Sequence, residues 1–370
     1  MRLPQKGGLF CSWPKPFFFF KKRAYLFWNK SGQPVDLSGV RSTLKEEHFM
    51  EQTKEFSGFI GGQKRSERVA VILAGGEGSR LKSLTRSIVG DDRPKQFCPI
   101  LNDRTLLDET RRRVALGIKP ENTYFSLTEK HERFYKRQLW NTRAGQLIVQ
   151  PENKGTAPAI LYSLMRLALH SPDATVAFFP SDHYFSDDEA FMRNVASAFG
   201  AVELDPGSIV LLGIEPEKAE TSYGWIEPAQ TFFGEVSRSI SRVNRFWEKP
   251  TVGVAKRLMA EGGLWNSFVM IGRVDTFLGM FRKHLPDMFR MFAASSQLFG
   301  TPQEMAVVSS IYAWINDINF STEVLERSAS ELLVMRVGDV AWSDLGEPQR
   351  VLGTLQGLGV RAEWMQALAA

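Results

Sequence analysis

The feature that most limits what this chain can fold into is the apolar run Val69-Ala-Val-Ile-Leu-Ala74, which leads straight into Gly75, Gly76 and Gly78. A run with no polar alternation suits a strand covered on both faces. Comparable runs recur at Thr123–Leu127, Leu147–Val149, Thr175–Phe179 and Ile209–Ile214. Between them lie segments of helical spacing: Leu106–Leu116, Phe134–Leu139, Ala159–Leu169 and Phe191–Leu204. Strands alternating with helices imply βαβ units and a mostly parallel α/β sheet. Ligands of such sheets bind beyond the carboxyl ends of the strands, so the residues after each apolar run are where chemistry belongs.

Charge is distributed unevenly along the 370 residues. Residues 1–66 carry 12 Lys or Arg against 5 Asp or Glu, whereas the remaining 304 hold 34 basic and 36 acidic side chains. The net charge of +5 therefore belongs to the leader, and the body gives no electrostatic argument for a nucleic-acid partner. In the leader, Phe17 to Phe20 stand between Lys15 and Lys21-Lys22-Arg23, with prolines at 4, 14, 16 and 34. Two readings compete here: an interfacial anchor and a basic, loosely ordered extension. A signal peptide is disfavoured by the short apolar run. Gly58, Gly61 and Gly62, then Lys64-Arg65, mark a linker, so the expected division is 1–66 and 67–370.

No stretch approaches the ~18 apolar residues of a spanning helix. Cys11 and Cys98 are too few for a disulfide framework or a cysteine zinc site, which points to a reducing, cytoplasmic setting. The five histidines are too scattered for a zinc site.

The glycine turn Leu73-Ala-Gly-Gly-Glu-Gly-Ser-Arg-Leu81 lets a ligand approach backbone N–H groups, and Arg80 adds a forked cation. It is neither a Walker A loop nor G-x-G-x-x-G, since Leu81 stands where the third glycine would be. Lys95, in Arg93-Pro-Lys-Gln-Phe97, supplies a second cation, and two cations on a glycine nest suit a polyphosphate. Asp182 follows the strand Val176–Phe179, and Asp344 follows the short apolar segment Val340–Trp342. Magnesium is commonly held by one or two carboxylates together with substrate phosphates. An alternative for Asp182 is the N-cap of a helix beginning near Asp187.

Leu73–Leu81 followed by Arg93–Phe97 resembles the signature of the sugar-phosphate nucleotidylyltransferases. The form Pro94-Lys95-Gln96-Phe97 is most similar to that of the mannose-1-phosphate guanylyltransferases. The likeness continues in order through Gln150–Pro158, Phe179–His183, Tyr223–Glu227, Phe246–Pro250, Trp265–Ser267 and Trp342–Gly346. It implies a Rossmann-like, GT-A-type sheet flanked by helices. It also implies transfer of a nucleoside monophosphate, GMP from GTP, to a hexose 1-phosphate, mannose 1-phosphate, releasing pyrophosphate with Mg²⁺ as cofactor. By that resemblance Arg80, Lys95 and Asp182 are catalytic, and Asp182 and Asp344 hold the metal. The nucleotide falls to Leu73, Gly75, Gly76, Gly78, Arg80, Glu152, Asn153, Thr156 and Ala157. The sugar phosphate falls to Gly224, Glu227, Glu248, Lys249 and Asn266.

Two departures bear on specificity. Asn153-Lys-Gly-Thr156 replaces the family's usual Arg-Asn-Thr, and Phe268 stands where many relatives have glycine. The same chemistry with another triphosphate or sugar is therefore the nearest alternative, and a non-catalytic nucleotide-sugar sensor the more distant one.

His183 is not expected to act as a base, because a phosphate monoester with a second pKa near ~6 is already largely a dianion at neutral pH. Trp225, Trp247 and Trp265 are candidates for a sugar face or for core. After the strand Phe268–Ile271, amphipathic helices over Asp275–Lys283, Met288–Leu298 and Glu304–Ile315 are expected to cap the sugar side. A terminal helix within Val351–Ala370 leaves no room for the β-helix or cupin that some relatives carry, so one activity is expected. Oligomeric state is left open.

Overall fold

The computed structural model describes residues 66–232 and 239–360, Trp364, and two short strands nearer the N-terminus. The chain divides into two compact units, Met1–Arg41 and Ser42–Ala370. In the first, β1 (Phe27–Trp28) and β2 (Pro34–Val35) pair antiparallel, with Phe27 opposite Val35. The Phe17–Phe20 run and the Gly58–Arg65 linker lie outside the described residues.

In the second unit nine described strands form one sheet. They are β3 (Arg68–Leu73), β4 (Thr123–Thr128), β5 (Leu147–Gln150), β6 (Thr175–Pro180), β8 (Ile209–Ile214), β9 (Gly224–Phe232), β10 (Ile240–Glu248), β11 (Leu264–Arg273) and β12 (Leu332–Val337). A separate ribbon pairs β7 (Tyr184–Phe185) with β13 (Trp342–Ser343). The sheet runs β5-β4-β3-β6-β11-β8-β12-β10-β9. Neighbours from β5 to β6 are parallel, as are β8 and β12. By contrast β11 runs antiparallel to both β6 and β8, and β10 antiparallel to β12 and β9. The sheet is therefore mixed, where the sequence pattern implied a mostly parallel one. An unbroken apolar run reports burial on both faces and says nothing about strand direction.

Alternation along each strand divides the core. Val69 and Val71 of β3 join one cluster while Ala70 and Ile72 join the other, and on β6 Val176 and Phe178 oppose Ala177 and Phe179. The first face is covered by α4 (Thr156–Ala168), α7 (Val274–His284), α8 (Pro286–Ser295) and α9 (Glu304–Tyr312). The second is covered by α2 (Leu106–Ala115), α5 (Asp188–Leu204) and α6 (Val252–Ala260), with the short α3 (Glu132–Gln138) beside them. This is the three-layer, Rossmann-like arrangement. A third cluster, including Leu81, Leu84, Cys98 and Leu106, joins α1 (Lys82–Val89) to α10 (Pro348–Gly357) through Leu345, Val351 and Leu355.

Helices α7 to α9 extend the α4 layer beneath the sheet. Tyr162 of α4 stacks edge-on against Phe299, and Arg166 is paired with Glu304 of α9. No described helix is long and apolar enough to cross a membrane.

Candidate active site

The glycine turn sits directly beyond β3, and its conformation is forced by what surrounds it. Gly78 has φ 59°, and a Cβ there would come within 3.0 Å of the Lys95 backbone nitrogen. A Cβ at Gly75 would lie 2.9 Å from Thr128 Oγ1. The loop is also stapled from within: Gln96 Nε2 donates to Ala74 O at 3.0 Å and to Gly76 O at 2.8 Å, and Thr128 Oγ1 donates to Gly75 O at 2.9 Å. Gln96 is 1% exposed, so its two bonds replace those the loop would otherwise make with water. Leu73 ends β3 and Gly76 has open space around it. Arg80 projects outward, with Nη1 3.7 Å from Glu347 Oε1 and its side chain 62% exposed.

The two acids meet because of the β7–β13 ribbon. Its register sets Trp342 opposite Phe185 and Ser343 opposite Tyr184. One step further along that register places Asp344 opposite His183, beside Asp182. Asp182 plays no capping role: α5 is capped by Asp187, whose Oδ1 accepts the Ala190 N–H at 2.8 Å.

Lys95 joins the parts. Its ammonium stands 3.3 Å from Asp182 Oδ2, donates to Leu345 O at 3.1 Å, and is bonded to Asp344 O as well. The glycine turn, Asp182 and Asp344 thus occupy one edge of the sheet. All three Lys95 contacts are to protein oxygens, so it acts here as a buried organiser of both acid segments.

Around Asp344 the groups are dense. Oδ1 accepts from Tyr223 OH at 3.0 Å and from the Gly346 N–H at 2.9 Å, and lies 3.0 Å from Arg350 Nε. Burial raises the Asp344 carboxyl, but the neighbouring His183, the charges of Lys95 and Arg350 and the Gly346 N–H bond more than offset it and hold the group below its ordinary value. No described donor is hydrogen-bonded to Oδ2. Asp344 is therefore an ionised carboxylate with one oxygen fixed and the other available.

That donor set suits a hard divalent ion. No group of three or more His, Cys, Asp or Glu converges among the described residues, so no protein-only cage exists there. Two carboxylates at one edge match the way magnesium is ordinarily held, by one or two carboxylates together with substrate phosphates.

The His183 side chain is 13% exposed, and desolvation first, then the neighbouring charges of Lys95 and Arg113, lower its pKa to about 4 despite Asp182 and Asp344. Trp342 Nε1 donates to His183 Nδ1 at 3.3 Å, which leaves the proton on Nε2, 3.8 Å from Asp182 Oδ1. In that tautomer the one basic lone pair, on Nδ1, is engaged by the Trp342 N–H and is not free to take a proton from a substrate.

On the far side of Asp344, Tyr223 links to the second group of candidates. Its backbone O accepts the Lys249 N–H at 3.2 Å. Gly224 pairs with Glu248 across β9 and β10, and a Cβ on it would lie 3.0 Å from Glu248 Oε2. Glu248 is raised by burial, and its N–H donates to Glu326 Oε1 at 2.7 Å. Lys249 has φ 49° and an exposed side chain. Asn266 is buried and its Oδ1 accepts the Phe268 N–H at 3.1 Å, inside a bulge of β11 where Phe268 has φ 60°. Glu227 is held by Trp247 Nε1 at 3.0 Å and by Asn244. Of the three tryptophans, Trp225 and Trp265 are core, and the Trp247 ring is covered by the Arg245 guanidinium at 3.8 Å.

The segment after β5 lies next to the glycine turn, since Thr128 and Gln150 are paired. Glu152 is exposed, and Asn153 Oδ1 accepts the Gly155 N–H at 2.9 Å. Thr156 Oγ1 accepts the Phe320 N–H at 2.8 Å, and the fully buried Ala157 donates its N–H to Ile318 O at 3.1 Å. Thr156 and Ala157 therefore spend those atoms on the 318–320 segment. Gly155, at φ 85°, is confined by the Ile318 backbone.

Sequence reasoning assigned no role to Gln96, Tyr223, Arg350 or the 318–326 segment. For Arg350 the one available signal was an arginine six residues after Asp344 on the following helix. The 318–326 contacts cross 78 residues to Glu248 and 164 to Thr156, and left no local trace.

Fold and site together define a three-layer α/β protein whose glycine turn and paired acids share the carboxyl edge of its sheet. The chain belongs to the nucleotidyl transferase family, whose model matches residues 69–356. It is 30% identical over 288 residues to a mannose-1-phosphate guanylyltransferase of Escherichia coli K12, covering 76% of this chain and 58% of that protein. It is 29% identical over 282 residues to the alginate biosynthesis protein AlgA of Pseudomonas syringae, covering 75% and 56% respectively. The chain thus spans little more than half the length of these relatives. Among solved structures it is similar to one described as mannose-1-phosphate geranyltransferase from Thermus thermophilus, at 30% identity and TM-score 0.65, covering 76% of each chain.

Proposed function

We propose that this chain transfers a nucleoside monophosphate, GMP from GTP, to a hexose 1-phosphate, mannose 1-phosphate, giving a nucleotide sugar and pyrophosphate. The observation that carries the reading is the bridging of both acid segments by Lys95 beside the glycine turn. The activity for which the E. coli relative is named supports the choice of base and sugar.

In this reading a sugar phosphate oxygen forms a bond to the α-phosphorus of the triphosphate, and the bond from that phosphorus to the β-phosphate's bridging oxygen breaks. The attacking group is already a dianion, so no side chain need remove a proton, in keeping with the occupied His183 ring. Catalysis then rests on positioning and charge. The Gly75–Gly78 backbone cradles the triphosphate and Arg80, exposed and loosely held, meets its phosphates. Lys95 adds positive charge from beneath.

Asp182 and Asp344 would hold Mg²⁺, which when bound neutralises phosphate charge. Lys249 faces the sugar phosphate, and Gly224, Glu227, Glu248 and Asn266 shape the sugar site. Glu152 and Asn153 lie toward the base. Helices α7 to α9 support the sugar side through the 321–326 turn, which receives the Glu248 N–H. A cytoplasmic location goes with nucleoside triphosphate as substrate.

The test is pyrophosphate release from a panel of triphosphates with mannose, glucose and related sugar 1-phosphates, with Mg²⁺ and with chelator. Release with GTP and mannose 1-phosphate, abolished by chelator, is expected. Release with a different pair would revise the substrates, and release with none would replace the enzyme with a nucleotide-sugar sensor.

A further inference from the structure

A cleft of ≈ 620 Å³ lies between α2 and the turns that lead into β4 and β5. Pro120, Thr123 and Gln146 line it, at or just before the first residues of β4 and β5. At about 3.3 Å per residue, the β4 lining residue nearest the glycine turn, Phe125, stands about 10 Å short of Thr128.

Its lining is cationic. Arg104, Arg111, Arg112 and Arg143 face Asp108 and Glu121, a net charge of +2 on a body whose residues from 67 onward carry −2. Two of the four arginines are paired in place, Arg111 with Asp108 and Arg104 with Glu109, and two are not. Among the described residues Arg112 and Arg143 have no carboxylate partner, and Arg104 meets only Glu109, at 3.7 Å.

Arg111 is preset: its Nη1 donates to Gln138 O at 2.9 Å and meets Asp108 Oδ1 at 3.3 Å, while its guanidinium lies 5.8 Å over the Phe125 ring. Unpaired like charges facing one concavity repel each other, and an anion would relieve that cost. The volume falls in the range of small-molecule sites and exceeds what a lone phosphate would fill.

We propose that this cleft is a second binding site, for a nucleotide-sized phosphorylated molecule whose phosphates sit on Arg112 and Arg143. The proposal is independent of the reaction assigned to the carboxyl edge. A regulatory ligand placed here would act through β4 and β5, which end at Thr128 and Gln150 beside the glycine turn.

The full chain is titrated calorimetrically with GDP and, separately, with inorganic pyrophosphate, alongside R112E/R143E and the milder R112Q/R143Q. Both positions are exposed, so the fold is expected to survive either pair. Two GDP per chain are expected for the unaltered protein and one for R112E/R143E, with the lost site weakened at least ~10-fold and pyrophosphate-release turnover changed less than ~2-fold. Weaker binding of pyrophosphate than of GDP at the lost site would show that the cleft reads more than phosphate. If only one GDP binds and R112E/R143E abolishes it, the cleft stands and the carboxyl-edge reading is what fails. An unchanged stoichiometry in R112E/R143E, or no binding to the unaltered chain, overturns the proposal.

Discussion

Arg350 Nε stands 3.0 Å from Asp344 Oδ1, and the same guanidinium reaches Glu220 Oε2 at 3.2 Å and Ser222 Oγ at 3.0 Å. The Nε–H is not aimed at Oδ1, so the contact is an ion pair rather than a directed hydrogen bond. It nonetheless ties α10 to the acid and lies 4.8 Å over the Tyr223 ring, whose hydroxyl donates to the same oxygen. Through these contacts Arg350 positions Asp344.

Losing a group that orients a metal-binding carboxylate typically weakens metal affinity or activity 10–100-fold. Arg350→Lys keeps the charge but not the fork, and should raise the Mg²⁺ concentration for half-maximal activity about 10-fold. Arg350→Ala should do more, because it also leaves Asp344 and Glu220 short of a cation. An unaltered Mg²⁺ dependence in Arg350→Lys would reduce Arg350 to a purely structural role.

Asp182→Asn removes one charge with almost no change of shape. A loss of at least ~10²-fold in turnover is expected, comparable to losing one key electrostatic group. Circular dichroism should be unchanged, since Asp182 caps no helix. Near-normal pyrophosphate release from this variant would take Asp182 out of the mechanism.

Lys249 occupies the left-handed region at φ 49°, where a side chain costs roughly 1–2 kcal/mol that glycine avoids. Lys249→Gly should therefore leave stability unchanged or raise it by about 1 kcal/mol, offset in part by the greater freedom of the unfolded chain. Its KM for sugar 1-phosphate should rise at least ~10-fold while that for triphosphate stays put. Equal effects on both KM values would place Lys249 elsewhere in the cleft.

These variants divide into those the sequence pointed to and those it did not. Arg80, Lys95, Asp182 and Asp344 stood out because glycine turns, cations and acids after apolar runs are local signals. Strands β3, β4, β5, β6 and β8 were legible for the same reason. Strand direction was not: β11 lies between β6 and β8 in reverse, which an unbroken apolar run does not announce. The convergence of Asp182 and Asp344 was illegible too, because it depends on a pair of two-residue strands 158 positions apart. Phe268 was noticed as an oddity in sequence, but only its φ of 60° shows that the backbone there takes a glycine-like conformation with a phenylalanine in it.

The His183 ring makes stability depend on pH in a predictable direction. In the unfolded chain an imidazole takes up a proton near pH 6.5, whereas the folded protein resists until about 4. Between those values the unfolded state binds more protons, so stability must fall as pH drops. The contribution is intact above about pH 6.5 and is lost progressively down to about pH 4. At 1.36 kcal/mol per pKa unit the total is about 3 kcal/mol. Urea midpoints from pH 7.5 to 4.5, for the unaltered chain and His183→Gln, isolate this group from the other titrating residues. The gap between the two stabilities should narrow as the pH falls through this range. A gap that stays constant would mean the ring is not held neutral between Asp182 and Trp342, and with it the argument that His183 cannot serve as a base would fail.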